Sequence, residues 1–295
     1  MTAQIIEGNP IAERLRADIA REAAAFTAEH GYAPGPGIVL VGDDPASQMY
    51  VRMKRRACES VGVMSYPHFL PGNATQEEVE SVVRTLNDDP KVHGILVQLP
   101  LPKHIDEEKV LRIIDFEKDA DGAHPLNIGL LAMKGREPLY IPATPAGIMV
   151  ILKDIGVELS GMNAVVIGRS NIVGMPIALL LMEANATVTI CHSRTRDMRA
   201  YLKDADVVVA AIGRPNSIKG DWLKPGCVVV DVGTNKIDDP SAEKGYRYVG
   251  DVDLESALSV VKAITKVPGG VGPLTITMLI QQTVKAARRL AAKQL

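Results

Sequence analysis

Apolar residues in the first third of the chain follow two periods in turn, which predict alternating helices and strands. Ile11, Leu15 and Ile19 recur every four residues after Asn9-Pro10, so an amphipathic helix is predicted towards Gly31. Short unbroken apolar runs predict buried strands at 37–41, 63–70 and 92–97, with helices at 47–61 and 75–87 between them. Strands that alternate with helices favour a mostly parallel sheet in an α/β fold.

The alternation resumes after a stretch between residues 98 and 145 that prolines interrupt repeatedly. One helix is predicted there at 106–114, and another begins at Thr144-Pro145 and ends near residue 155. The second series has predicted strands at 164–167, 187–191, 207–211, 228–232 and 246–249, helices at 174–184 and 196–203, and a final helix after Pro273. A second series of this kind predicts a second α/β domain.

The composition is that of a globular protein with no evident affinity for polyanions. The chain has 295 residues, of which 46% are hydrophobic and 23% charged, and its formal net charge is -2. This balance suits one large or two modest domains and argues against nucleic acid as the main partner. Aromatic residues make up 4% of the chain, so a groove that stacks single-stranded bases is not expected either.

The cysteines and the N-terminal segment favour a cytoplasmic protein without a membrane anchor. The 3 cysteines form no CxxC pair, so a disulfide framework and a zinc ribbon are both unexpected, and a reducing compartment fits. The N-terminus lacks the basic and apolar segments of a signal peptide. The longest apolar runs are far shorter than the roughly 18 residues that span a bilayer, so no membrane contact is predicted.

An acidic stretch at 115–122 is the one segment whose sequence suggests a metal site. It mimics the first positions of a calcium loop, but Ile128 stands where the bidentate Glu would be needed. The histidines show no metal-ligand spacing. No metal is predicted, and the stretch is interpreted either as a solvated acidic loop or as the source of one carboxylate that pairs with a guanidine-like edge of a ligand.

A glycine-rich turn follows the strand predicted at 164–167. Gly168, Ser170 and Gly174 lie between this strand and the next helix, where backbone N–H groups and a helix N-terminus can hold a pyrophosphate. The pattern is neither G-x-G-x-x-G, since Ser170 replaces the second glycine, nor a P-loop. The alternative is a tight strand–helix turn that binds no ligand.

The end of the next strand indicates which dinucleotide the turn would bind. An NAD site would place Asp or Glu about 20 residues after the turn, at the ribose 2′-hydroxyl. The chain has His192, Ser193 and Arg194 there, and no carboxylate. Ser193, Arg194 and Arg169 are suited to neutralise a 2′-phosphate, so NADP is predicted over NAD. The alternative is that the arginines are solvated surface charges.

A candidate chemical site lies on the helix predicted at 47–61. Tyr50 and Lys54 are four residues apart and share a face of this helix. Lysine transfers protons near neutral pH only when burial or nearby cations lower its pKa, and otherwise Lys54 is an ordinary surface lysine. Gln98 follows the strand at 92–97 at its carboxyl end, where ligands bind in open parallel sheets, or it belongs to a simple exit turn.

Together these stretches resemble the family of bifunctional methylenetetrahydrofolate dehydrogenase/methenyltetrahydrofolate cyclohydrolase enzymes. Gln-Leu-Pro-Leu-Pro at 98–102 and Pro-Gly-Gly-Val-Gly-Pro at 268–273 are highly specific as a pair. The matching segments follow the family's order and cover nearly the whole chain; the others are 47–51 with Lys54, 94–97, 118–122, 144–147, 168–174, 231–233 and 274–275.

The resemblance implies two reactions at one site. A hydride passes from 5,10-methylenetetrahydrofolate to NADP⁺, and water then opens the resulting 5,10-methenyl ring to 10-formyltetrahydrofolate. By resemblance, Lys54 is the catalytic proton-transfer group and Gln98 hydrogen-bonds it. Tyr50 packs on the pterin side of the folate, and Asp121 binds the amino-pyrimidine edge of the pterin.

The resemblance also implies the remaining contacts and the organisation of the chain. Further substrate-binding residues are Leu99, Pro100, Pro268, Gly269 and Gly270. The NADP-binding residues are Thr144, Gly168, Arg169, Ser170, Gly174, His192, Ser193, Arg194, Gly233 and Thr234. Residues 1–143 plus 275–295 form a folate-binding domain, and 144–274 form a Rossmann-like NADP-binding domain, with a cleft between them. A homodimer with a place in one-carbon metabolism and purine biosynthesis is expected.

Five positions depart from the usual family pattern, and none removes a proton-transfer group. They are Ala120, Ala143, Thr234, Lys266 and Leu274. Thr234 is expected near the cofactor, so cofactor affinity is the property that these departures are most expected to change.

Two alternative functions stay open at this point. One is a monofunctional NAD(P)-dependent dehydrogenase, which the retained Lys54 and Gln98 disfavour, and the other is a catalytically silent NADP-binding sensor.

Overall fold

The computed structural model describes residues 3–293. Its strands are β1 (Gln4–Ile6), β2 (Pro36–Val41), β3 (Tyr66–Leu70), β4 (Gly94–Val97), β5 (Asn163–Ile167), β6 (Thr187–Cys191), β7 (Val207–Ala210), β8 (Val228–Asp231), β9 (Asn235–Asp238), β10 (Tyr246–Val249) and β11 (Ala263–Thr265). Its α-helices are α1 (Gly8–His30), α2 (Pro45–Ser60), α3 (Gln76–Asp88), α4 (Glu107–Arg112), α5 (Pro125–Leu131), α6 (Ala143–Asp154), α7 (Gly174–Glu183), α8 (Arg199–Leu202), α9 (Leu254–Ala257) and α10 (Val271–Ala292).

The chain folds into two compact units. The N-terminal unit comprises Glu13–Ala143 and the described residues from Ile276 onward, and the central unit comprises Thr144–Thr275 and the described residues up to Ala12. The predicted boundaries differ from this division at the N-terminus. There, β1 pairs in parallel with β11, so the residues before Glu13 pack with the central unit.

The N-terminal unit is built on a three-stranded parallel sheet in the order β3-β2-β4. Every residue of β2 and β4 is buried, as expected for strands covered on both faces. Helix α3 begins with the predicted capping box, in which Thr75 and Glu78 each bond the other's backbone N–H. Its apolar face, which includes Val79, Val83 and Leu86, packs against the sheet.

The central unit is built on a six-stranded sheet in the order β1-β11-β8-β7-β5-β6, with all pairs parallel. Strand β5 has β6 on one side and β7 on the other, so the winding direction reverses at β5. In doubly wound sheets, ligands bind outside the carboxyl ends of the strands at such a reversal. The predicted α/β class is confirmed in both units.

Two features of the central unit differ from the sequence prediction. Strand β10 forms where a fifth strand was predicted, but it pairs antiparallel with β9 in a separate hairpin and not in the main sheet. Strands β1 and β11 have three residues each, too few to show a period, and were not predicted.

Among the described helices of both units, none is long and apolar enough to cross a bilayer.

Candidate active site and cofactor cavity

Helix α2 presents Lys54 to the interior of the N-terminal unit. Asp44 starts this helix by accepting the N–H of Ser47 at 2.7 Å. Lys54 is only 8% exposed, whereas Arg52 and Arg56 on the same helix face solvent. Tyr50 lies one turn before Lys54 and is partly buried, so the predicted shared face is present. Lys54 is therefore not the ordinary surface lysine of the alternative interpretation.

Gln98 holds the Lys54 ammonium with a neutral acceptor. The Lys54 Nζ donates to Gln98 Oε1 at 3.0 Å, and Gln98 Nε2 donates to the carbonyl of Leu99 at 2.7 Å. The second bond fixes the orientation of the amide, so that its oxygen faces Lys54. The Gln98 backbone N–H donates to Val39 in β2, which anchors the residue at the carboxyl end of the sheet.

Burial and one carboxylate set the charge balance of this site. Burial lowers the pKa of Lys54, and the nearby Asp121 charge partly opposes that fall. Burial likewise raises the pKa of the Asp121 carboxyl, and the Lys54 cation opposes that rise. A lysine with a lowered pKa gives up its proton more readily than a solvated one, and a glutamine partner adds no charge that would hold the proton in place.

The acidic stretch before Asp121 is an ordered, largely buried turn and not a solvated loop. Lys118 is 6% exposed and donates from Nζ to the carbonyls of Leu86, Asn87 and Asp89 at the end of α3. Asp119 is fully buried, and its carboxylate accepts the N–H groups of residues 123 and 124 and the Asn127 amide at the start of α5. Lys118 and Asp119 thus fix the backbone that leads to Asp121.

Asp121 is presented by a turn that only glycine completes. Gly122 has φ +71°, and a Cβ there would meet the backbone of Ile141 and Pro142 at 2.5 Å. Gln282 in α10 ties the turn down, because its amide donates to the Ala120 carbonyl and accepts the Ile141 N–H, both at 2.8 Å. Sequence reasoning missed Gln282, since nothing in the pattern of α10 distinguishes it from a surface glutamine.

The remaining predicted substrate residues lie in two loops. Leu99 and Pro100 follow β4 in the N-terminal unit, joined by a cis peptide bond. Pro268, Gly269 and Gly270 link β11 to α10 in the central unit, where the Gly269 carbonyl accepts the Gly8 N–H at 2.8 Å. Gly269 has φ +107°, a conformation that favours glycine.

The glycine turn after β5 is as tight as its sequence predicts. A Cβ at Gly168, where φ is +129°, would meet the Ala211 carbonyl oxygen at 2.2 Å, and one at Gly174 would meet the Gly168 oxygen at 2.4 Å. Ser170 bridges the turn, because its Oγ accepts the N–H groups of Val173 and Gly174 at 3.3 and 3.2 Å. The serine thereby takes part of the N–H capacity at the start of α7.

A cavity of about 320 Å³ lies where this turn meets the ends of β6 and β7. Its lining residues are Gly168, Arg169, His192, Ser193, Met198, Ala211, Ile212 and Arg214. The lining contains two arginines and no carboxylate, which suits the 2′-phosphate of NADP better than the ribose diol of NAD. Sequence reasoning missed Arg214, and the signal available was its place just after the strand at 207–211.

Several predicted cofactor residues lie outside this lining. Arg194 is exposed in the turn after β6, and its backbone N–H donates to the His192 ring. Thr144 pairs its hydroxyl with that of Thr275 at 2.9 Å. Ser170 and Gly174 shape the turn beneath the cavity, while Gly233 and Thr234 follow β8 and are not among the lining residues.

Comparison with known proteins gives a consistent picture over both units. Residues 6–121 match the sequence model described as "Tetrahydrofolate dehydrogenase/cyclohydrolase, catalytic domain". Residues 142–291 match the model described as "Tetrahydrofolate dehydrogenase/cyclohydrolase, NAD(P)-binding domain". The first match includes Tyr50, Lys54, Gln98 and Asp121, and the second includes the residues that line the cofactor cavity.

Full-length relatives and a solved structure agree with these matches. "Bifunctional protein FolD 2" of Arabidopsis thaliana is 53% identical over 98% of this chain and 97% of that protein. "Bifunctional protein FolD" of Geotalea daltonii is 53% identical over 97% of this chain and 99% of its own length. The Trypanosoma brucei FolD structure, complexed with NADP cofactor and inhibitor, is 41% identical with a TM-score of 0.95 and covers 98% of each chain. The chain therefore belongs to the tetrahydrofolate dehydrogenase/cyclohydrolase family.

Proposed function

We propose that this protein oxidises 5,10-methylenetetrahydrofolate to 5,10-methenyltetrahydrofolate with NADP⁺ and then hydrolyses the product to 10-formyltetrahydrofolate. The observation that carries the proposal is the buried Lys54 ammonium, held by the neutral Gln98 oxygen at 3.0 Å beside the Asp121 charge. Bifunctional relatives more than half identical over nearly the whole chain support it. The Lys54–Gln98 pair disfavours a protein that only oxidises the substrate.

Lys54 serves the hydrolytic step twice. As the free amine it takes a proton from the water that adds to the methenyl carbon, and as the ammonium it gives a proton to N5 when the C–N5 bond breaks. The hydroxyl proton of the adduct leaves to solvent as the formyl group forms. Gln98 keeps the Nζ in place in both protonation states, since its amide is fixed by Leu99 and accepts without adding charge.

Asp121 orients the folate in this proposal. Its carboxylate pairs with the amino-pyrimidine edge of the pterin, and Tyr50 covers the pterin face from the preceding turn of α2. Leu99 and Pro100 in the N-terminal unit, and Pro268, Gly269 and Gly270 in the central unit, are assigned to folate contact by family resemblance. The redox step needs positioning above all, because the substrate nitrogens stabilise the cation that hydride loss leaves.

When bound, NADP⁺ supplies the hydride acceptor. Arg169, Ser193 and Arg214 would hold its phosphates, with Gly168, Ser170 and Gly174 shaping the turn and His192 beside it. The cavity size and its cationic lining support this assignment. The contacts assigned to Thr144, Arg194, Gly233 and Thr234 rest on the family resemblance.

One assay tests both activities and the choice of cofactor. Purified protein given 5,10-methylenetetrahydrofolate and NADP⁺ is expected to form NADPH and, with it, 10-formyltetrahydrofolate. NAD⁺ is expected to give a kcat/KM at least about tenfold lower, since an arginine–phosphate contact contributes roughly 1.5–3 kcal/mol. Accumulation of the methenyl compound with no hydrolysis would refute the bifunctional assignment, and a preference for NAD⁺ would refute the cofactor assignment.

We further propose a homodimer in the cytoplasm. The dimer is inferred from family resemblance. Light scattering is expected to give twice the mass of one chain, and the mass of a monomer would refute the proposal.

The cytoplasmic location is supported by the three cysteines, which are free and buried, as in proteins of a reducing compartment. Two of the Arabidopsis relatives are named as chloroplastic and mitochondrial, so fractionation of the source cells is the decisive test.

A further inference from the structure

The turn that follows β7 is fastened to one buried carboxylate. Asp251 is fully buried, and its Oδ2 accepts the backbone N–H groups of Ile212 and Gly213 at 2.7 and 3.0 Å. Its Oδ1 accepts the N–H of Arg214 at 2.8 Å and the side-chain amide of Asn235 at 2.9 Å. Three successive N–H groups converging on an anion form a nest, and here the anion is part of the protein.

Asp251 is itself held by a second buried carboxylate. The Asp251 N–H donates to Asp231 Oδ1 at 2.9 Å, and the N–H groups of Gly233 and Val252 donate to the same carboxylate at 2.9 and 2.8 Å. The Asp231 N–H donates in turn to the Thr265 hydroxyl in β11 at 2.7 Å. This series of bonds connects the turn after β7 to the backbone of β8 and β11.

Two glycines allow the carboxylates to come this close. A Cβ at Gly250 would lie 1.9 Å from Asp231 Oδ2, and a Cβ at Gly233 would lie 2.5 Å from Asp251 Oδ1. Any other residue at either position would push a carboxylate away from the N–H groups it accepts. The carboxylates of Asp231 and Asp251 therefore keep these hydrogen bonds only when residues 233 and 250 are glycine.

The turn held by Asp251 is a wall of the cofactor cavity. Ala211, Ile212 and Arg214 line this cavity together with Arg169 and Ser193. Asp251 does not line it, and its oxygens are occupied by four donors from the protein. It therefore acts on the cavity only through the turn.

We propose that Asp251 is a positioning residue for the cofactor: it fixes the Ile212–Arg214 turn so that the Arg214 side chain and the wall of the cavity are in place before NADP binds. This inference rests on the proposed use of NADP by the central unit. Preorganisation of this kind raises affinity because the ordering cost is met during folding and not on binding.

Asp251→Asn tests the proposal with a change of one atom. An asparagine oxygen can accept at most half of the four donors, and its NH₂ group would face the other two, so the turn is released. The Kd for NADP⁺, measured by titration calorimetry, is expected to rise at least tenfold. Hydrolysis of 5,10-methenyltetrahydrofolate supplied directly, which consumes no NADP, is expected to stay within twofold of the wild-type rate.

Asp253→Asn is the matched control. Asp253 lies two residues away on the same segment, and its carboxylate bonds Lys219 at the surface, 3.0 Å away. Its replacement is expected to leave both the NADP Kd and the hydrolysis rate unchanged. A wild-type Kd in the Asp251 variant, or a loss of hydrolysis equal to the loss of NADP binding, would overturn the proposal.

Asn235→Ala decides the question if the Asp251 variant does not fold. It removes one donor from Asp251 Oδ1 and leaves the three backbone bonds, so a Kd increase of about threefold is expected with hydrolysis intact. An unchanged Kd would then overturn the proposal. Wild-type protein that does not bind NADP would instead refute the proposed cofactor, so the two failures are distinguishable.

Discussion

The side chain proposed to carry the hydrolytic chemistry is a lysine whose surroundings disfavour its charge. Lys54 is 8% exposed, donates to the Gln98 amide oxygen rather than to a carboxylate, and has its pKa lowered by burial. Asp121 opposes that effect and keeps the ammonium form accessible. An acidic residue at position 98 would hold the proton on Lys54, whereas the glutamine amide keeps the Nζ in place without adding charge.

Replacing Asp121 by asparagine is expected to shift the pH profile of methenyl hydrolysis to lower pH. Asp121 raises the pKa of Lys54, so loss of its charge lets that pKa fall further, and the free amine persists to a lower pH. The acidic limb of the hydrolysis rate is expected to move to lower pH, and the KM for folate is expected to rise. Initial rates across the pH range measure both effects.

Asp115→Asn is the control for this shift. Asp115 is exposed, lies six residues before Asp121 and undergoes the same change of acid to amide. Its variant is expected to keep the wild-type pH profile. An acidic limb that stays in place in the Asp121 variant, or moves to higher pH, would contradict the assigned electrostatic role.

At the scale of elements, the turn that carries Asp121 is built from contacts with helices at some distance along the chain. Lys118 caps the C-terminal carbonyls of α3, and Asp119 receives the N–H groups at the start of α5. A cation at a helix C-terminus and an anion at a helix N-terminus both match the direction of the helix dipole. Gln282 in α10 closes the same turn from the other side.

Lys118→Met is expected to destabilise the N-terminal unit by about 3 kcal/mol, because three carbonyls lose a buried charged donor. Thermal unfolding followed by circular dichroism is expected to show a Tm lower by roughly 5–10 °C. Lys109→Met on α4 removes an exposed ion pair with Asp106 and is expected to change the stability by less than about 0.5 kcal/mol. Equal effects in the two variants would show that Lys118 is not a structural cap.

At the scale of the whole molecule, the elements with a clear local pattern are predicted from the sequence, and those that depend on distant pairing are not. Helix α3 and strands β5 and β6 form within a residue or two of their predicted bounds, because each has a full hydrophobic period and local start signals. Strands β1 and β11 exist through their pairing across more than 250 residues, which no local period reveals.

The site residues likewise fall into those that local sequence pattern indicates and those that only distant contacts define. Gln98 and the glycine turn at 168–174 lie at the carboxyl ends of predicted strands, so the sheet rule indicates their place. Asp251 accepts the backbone N–H groups of residues 212–214, which are 37 to 39 positions away, and Gln282 bonds Ala120 and Ile141, which are 162 and 141 positions away. Their neighbours in sequence do not indicate those partners. Family resemblance supplies the role of Lys54, and the structure supplies the burial that makes this role chemically reasonable.

The most direct test of the whole account compares wild-type protein with Lys54→Gln in one reaction that contains 5,10-methylenetetrahydrofolate and NADP⁺. The variant is expected to keep forming NADPH while hydrolysis of the methenyl product falls at least about 100-fold, so that methenyl absorbance accumulates. Arg56→Gln, an exposed cation on the same helix, is expected to behave as wild type. Hydrolysis at the wild-type rate in the Lys54 variant would contradict the account.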